Sequence, residues 1–169
     1  MDIPAEQVAY KSILDVVKQK ELSFTQDDEK LSVKLHFWTD SLTVEIFLSV
    51  DKERNLIRLS SPLSFRFSET KGSDAIFAIT AVNNYLPNGC FDFNTADRRI
   101  IFKIYNAYSV HDDGTAIFGA NTINQRNITY MLDVAASYIT AFGMHFFSLS
   151  TNAITLPMFL EKLKTLVGA

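Results

Sequence analysis

The chain has 169 residues, 47% of them apolar and 21% charged, the composition of one ordinary globular domain with a sizeable core. A net charge of −3 and a pI of about 5.6 supply no field to attract phosphate backbones, and the longest cationic clusters are pairs such as Arg98-Arg99, so nucleic acid is not expected as a partner. The single cysteine excludes an internal disulfide.

The first ten residues, MDIPAEQVAY, contain neither a basic run nor a continuous apolar one. No secretory signal is read there, and a cytoplasmic protein is expected. Ala5, Val8, Ala9, Ile13, Val16 and Val17 recur at helical spacing, which predicts an amphipathic helix over 4–20 opened by Pro4. A meander of strands follows: Leu22 and Phe24; Leu31 to Phe37; Leu42 to Val50; Ile57 and Leu59, with Pro62 closing the last. The polar runs TQDDEK (25–30) and DKERN (51–55) read as turns. If WTDS (38–41) is a four-residue hairpin loop, Phe37 faces Leu42 and Lys34 faces Glu45.

AIFAITAVNNYL (75–86) predicts a helix with no charge on it, and Asp74 near its start suits the helix dipole. Ile76, Ile79, Asn83 and Leu86 are expected toward the sheet, which leaves Phe77 in need of other cover. Pro87 and Asn88-Gly89 end that helix. Phe91 and Phe93 then alternate in a strand, TADR (95–98) turns the chain, and Ile100, Phe102 and Ile104 form the inward set of the next strand. HDDGT (111–115) is another turn. A long helix from Thr122 carries Ile128, Met131, Leu132, Ala135, Tyr138, Ile139 and Phe142 inward. The last helix takes Thr155 as N-cap and lines up Leu156, Phe159, Leu160, Leu163 and Val167. The segment 134–160 holds no Asp, Glu, Lys or Arg, but Ser, Thr, Gly, His and Asn interrupt it, so a buried or oligomer-facing helix is expected and no membrane span.

Few residues offer chemistry. Cys90 follows a helix C-terminus, whose field raises the cost of a thiolate, and it has no basic neighbour in sequence, so it reads as a packing residue. His36, His111 and His145 have no i,i+4 partner and no CxxC or HExxH companion, so no metal is expected. His111, Asp112 and Asp113 place carboxylates beside an imidazole, yet Asp-Asp-Gly is also what a turn requires. The glycines form no phosphate cradle and no GxSxG elbow, and no cofactor is expected. On the second and third strands the outward positions include Trp38 and Phe47. A patch of such aromatics would mark a protein-binding surface.

VDKERNLIRL (50–59), the helix ending in NNYLPNGCFDF (83–93) and the hairpin into RRIIFKIY (98–105) resemble the YbjN family of candidate bacterial sensory transduction regulators. Asn83, Leu86, Pro87, Gly89 and Phe91 stand where that family has its Asn, Leu-Pro, Gly and Phe. The resemblance spans about 20–150; the amphipathic helix at 156–167 lies beyond it. It implies a single α+β domain related in fold to type III secretion chaperones: an antiparallel sheet of five or six strands, three or four helices mainly on one face, often dimeric. It carries no catalytic residues to transfer. The leading expectation is a non-enzymatic, regulatory or chaperone-like protein that binds another polypeptide and forms a homodimer, with Trp38, Phe47 and Phe77 as candidate interface residues. The alternatives are a small enzyme with a site around His111, Asp112 and Asp113, and a structural oligomer subunit.

Overall fold

The computed structural model describes residues 3–38 and 42–168, with the backbone alone at Phe37 and Trp38. Pro4 opens α1 (Ala5–Gln19), whose buried positions Ala9, Ile13, Val16 and Val17 repeat at three and four residues. The strands β1 (Phe24–Asp27), β2 (Ser32–Trp38), β3 (Thr43–Asp51) and β4 (Leu56–Pro62) form an antiparallel meander. After α2 (Gly72–Asn83), β5 (Cys90–Asn94) and β6 (Arg99–Ala107) make a hairpin, and β6 pairs with β4. One sheet results, in the order β1-β2-β3-β4-β6-β5. The chain ends in α3 (Ala120–Ser150) and α4 (Leu156–Val167). The fold is α+β, with a six-stranded open antiparallel sheet and four helices.

Alternation decides which face is covered. Val33 and Leu35, Val44 to Val50 at every second residue, Ile57 and Leu59, and Ile100, Phe102 and Ile104 are all buried. Their neighbours Lys34, Phe47, Arg58, Lys103 and Tyr105 point the other way. α1 and α3 pack together over the buried side. α4 is added through Phe146 and Phe159, whose rings stack 5.4 Å apart.

Three details differ from the expectations. β1 extends into Thr25–Asp27, because an edge strand needs few apolar residues, and the turn begins only at Asp28. The β2–β3 register places Phe37 opposite Val44 and Lys34 opposite Phe47, two residues from the expected pairing. A shift of two leaves every side chain on its own face, so the apolar pattern is blind to it and the loop decides. Lys34 still reaches Glu45, diagonally, at 2.8 Å. Finally, the buried stripe of α2 is Ala75, Ala78, Ile79 and Val82. Ile76, expected toward the sheet, is 48% exposed. The two alanines let the helix backbone come close, and that moves the contact stripe to their side.

The junction after α2 explains the Asn-Leu-Pro-Gly-Phe pattern. The Asn83 side chain accepts from the Phe91 N–H and donates to the Phe91 carbonyl, both at 2.8 Å. It thereby occupies the free edge of β5 as a paired strand would. Gly89 has φ +73°, and a Cβ there would stand 2.6 Å from the Phe102 ring and 2.9 Å from the Lys103 carbonyl oxygen, so glycine is required. Phe91 then packs edge-on against Phe102, Phe142 and Phe146 at 5.1 to 6.2 Å.

Replacing Asn83 by Ala leaves two partly buried backbone groups of Phe91 without partners and should cost about 2–3 kcal/mol in urea unfolding. Asn83→Asp keeps an acceptor for the N–H but has no donor for the carbonyl, so it should remain destabilised. Wild-type stability in both variants would show the edge contact to be dispensable.

Candidate functional site

Two surfaces carry the residues expected to bind a partner. On the uncovered face of the sheet, Phe47 is 37% exposed, with no helix over it. Lys34 Nζ lies 5.3 Å from its ring centroid while paired with Glu45. On the next strand Arg58 lies 5.5 Å over Tyr105 of β6 and bonds Asp51 at 3.2 Å. Between these two aromatics β4 presents Ser60 and Pro62, so a shallow trough of about 360 Å3 runs along it, bounded further by Arg99 and Lys103. Each of these cations is tied to a carboxylate: Arg99 to Asp97 at 2.6 Å and Lys103 to Asp92. The side chain of Trp38 lies outside the described residues. Tyr105 was missed in the sequence, although the inward set Ile100, Phe102 and Ile104 already fixes it outward.

The second surface is the exterior of α2. Phe77 is 63% exposed there, beside Ile76, with Tyr85 exposed just after the helix. α4 packs against α2 but leaves Phe77 uncovered. Phe47 and Phe77 therefore belong to different sides of the protein, one on the sheet and one on a helix.

The residues of the enzymatic alternative are divided. His111, Asp112 and Asp113 line an open groove of about 800 Å3 with Ile3, Ile117 and Asn121. Asp113 is committed to its own turn: its Oδ1 accepts from the Thr115 hydroxyl at 2.7 Å and the Thr115 N–H at 2.9 Å, and these bonds hold its carboxyl below the ordinary range. Cys90 lines a different hollow, with Lys103, Tyr105 and Tyr130. Lys103 is the cross-strand partner of Cys90, so the cysteine has a basic neighbour in space that the sequence did not reveal. That ammonium is engaged by Asp92. Among the described residues no cluster of three metal-ligating side chains exists.

Electrostatics on the sheet face favour the charged pairs. The hydrogen bond from Lys34 lowers the pKa of Glu45, and that from Lys103 lowers the pKa of Asp92; the Asp92 bond likewise raises Lys103. On α3, burial lowers the pKa of His145, with the nearby Lys162 adding to it.

The protein is thus an α+β domain whose helices cover one face of an open antiparallel sheet and leave the other in solvent. It is similar to the solved structure of YbjN from E. coli, a candidate transcription regulator, at 10% sequence identity and a TM-score of 0.47, over 79% of this chain and 92% of that one. The family that the sequence resembles bears the same name. No protein-family profile matches the chain, and no curated protein matches it. No helix among the described residues is long and apolar enough to cross a membrane.

Two predictions concern this chemistry. A histidine whose folded pKa lies below its ordinary 6.5 opposes protonation, so the unfolded chain takes up the proton first. Stability should therefore begin to fall as pH drops below about 6.5. It should fall further below the ordinary carboxylate range, as Glu45 and Asp92 are protonated through their lowered values. Urea midpoints across pH 3 to 8 read both steps, and His145→Gln should remove the first alone. Cys90→Ser, a small change at a partly buried strand start, should shift stability by less than about 1 kcal/mol and leave function intact. A folded Cys90→Ser protein without function would reverse the packing assignment.

Proposed function

We propose that the protein is a non-enzymatic cytoplasmic module of regulatory or chaperone-like kind that binds another polypeptide and acts as a homodimer. The observation that carries this reading is the exterior of α2. A helix without charge between Asp74 and its end turns Phe77 and Ile76 into solvent, 63% and 48% exposed, where a monomer's surface helix keeps a polar stripe. In a two-fold contact each Phe77 meets its own symmetry mate or the neighbouring turn, and burying it contributes about 1.5–3 kcal/mol per subunit before the costs of association. The sheet face with Phe47 and Tyr105 stays free in that arrangement and is the surface left for the second polypeptide.

The enzymatic reading has one observation in its favour, the groove that gathers His111, Asp112 and Asp113. The polypeptide-binding reading is preferred because one oxygen of Asp113, Oδ1, is held by Thr115 in the turn and Cys90 lines a separate hollow. Multi-angle light scattering at concentrations of some tens of micromolar tests the dimer. The wild-type protein should have twice the chain mass, and Phe77→Glu, which sets like charges together in a dry contact, should have the monomer mass with unchanged circular dichroism. A wild-type monomer would end the dimer reading. Affinity capture with mass spectrometry should return one partner whose recovery falls with Phe47→Glu; no partner above background would count against the polypeptide-binding reading.

A further inference from the structure

The ion pairs around the trough along β4 do not cancel. Its cations are Arg58, Arg99 and Lys103, and of these Lys103 alone is matched by one carboxylate of its own, Asp92. Asp51 Oδ2 serves two guanidiniums, Arg54 and Arg58, each at 3.2 Å. Asp97 bonds Arg99 at 2.6 Å and also lies in the field of Arg66; burial pushes its carboxyl up, but the Arg99 bonds and the two positive charges outweigh that and hold it below the ordinary range. Five cations thus meet three carboxylates, an excess of two positive charges on a chain whose net charge is −3.

The excess is presented outward, because Asp51 is 11% exposed against 44% for Arg58, and Asp97 25% against 31% for Arg99. Arg58 spends Nη1 on Asp51, and Arg99 spends Nε and Nη2 on one oxygen of Asp97. A guanidinium has five N–H groups, and the others make no bond among the described residues. Arg58 stands opposite Tyr105, and Arg99 lies six residues back along β6, about 20 Å away at strand spacing. Between them the trough offers the uncharged Ser60, Pro62 and Ile101, with Phe47 at the side. An extended chain covers about 20 Å in six residue steps and turns alternate side chains to one face. We propose that the trough takes an extended acidic segment of another polypeptide, with two carboxylates six residues apart on Arg58 and Arg99 and uncharged apolar side chains between them. This rests on the reading of the sheet face as the polypeptide-binding surface.

Titration calorimetry on the full chain with capped heptapeptides tests this. ESVSYSE has the required spacing, QSVSYSQ removes its charge, KSVSYSK reverses it, and ESVESYS keeps the composition but sets the acids three apart. ESVSYSE should bind about tenfold more tightly than QSVSYSQ and about threefold more tightly than ESVESYS, with KSVSYSK weakest. Raising the salt should weaken ESVSYSE and leave QSVSYSQ nearly unchanged. Arg58→Gln and Arg99→Gln, both at exposed side chains, should each weaken ESVSYSE about threefold without moving QSVSYSQ. The proposal is overturned if ESVSYSE does not bind, if QSVSYSQ or ESVESYS binds as tightly, or if an oligothymidylate of eight nucleotides does, which would make the face a nucleic-acid surface. Affinity capture separates this proposal from the reading beneath it. A partner lost with Phe47→Glu but fully kept by the folded double variant Arg58→Gln, Arg99→Gln would leave the polypeptide-binding surface standing and remove its acidic specificity.

Discussion

The structure depends on the amide of Asn83 closing on both backbone groups of Phe91. A strand at the edge of a sheet presents unpaired donors and acceptors, and here a side chain from the preceding helix takes them up. The same contact anchors α2 beside β5 and fixes the strand from which Phe91 enters the ring cluster with Phe102, Phe142 and Phe146. It also sets the phase of the helix. At 3.6 residues per turn Asn83 lies on the flank of α2, about 90° from the centre of the buried stripe, and Phe77 lies roughly opposite that centre. Exposure of Phe77 thus follows from the requirement that Asn83 meet the strand edge and not the sheet face.

The other edge of the sheet is treated differently. β1 is four residues long, and FTQD runs directly into an acidic turn, so the edge is short and charged. Between the two edges the solvent face is ordered by ion pairs that reach across strands, Lys34 with Glu45, Arg58 with Asp51 and Lys103 with Asp92. Pairs this exposed contribute little stability. Their effect is positional: two of the cations are held over aromatic rings. Phe47 and Tyr105 stand on the open face with the width of β4 between them.

Much of this was legible in the sequence wherever one period governs. Strict alternation in β3 and β6 assigned every side chain to its face, and the stripe from Leu156 to Val167 assigned α4. What alternation cannot see is a shift by two, and the β2–β3 register moved by that amount. In α2 the apolar residues surround the helix, so its period points nowhere in particular, and small alanines decided the contact in place of the larger Ile76. Asn83 was visible as part of a pattern, but its role as a substitute strand required the geometry of the junction. Lys103 beside Cys90 is a product of strand pairing over a distance that local sequence does not encode.

The uncharged run from Val134 to Leu160 divides into a buried stripe and an exposed one. α3 is 31 residues long, about 46 Å, and along its second half it faces β6, α2 and α4 in turn. Phe142 and Phe146 point at the sheet, while Phe147 leans on Phe65 at 5.4 Å. Those contacts take up one side of the helix, where a charge would be buried without compensation, while Ser137, Thr140, Ala141 and Met144 stay exposed on the other. Its polar character is supplied by hydroxyls that need no outside partner: Ser148 bonds the Met144 carbonyl and Thr151 the Phe147 carbonyl. A helix crossing a bilayer lacks charges because lipid surrounds it. In this helix protein covers only the buried stripe, where α4 lays Phe159 on Phe146, and the exposed stripe is uncharged but keeps the hydroxyls of Ser137 and Thr140.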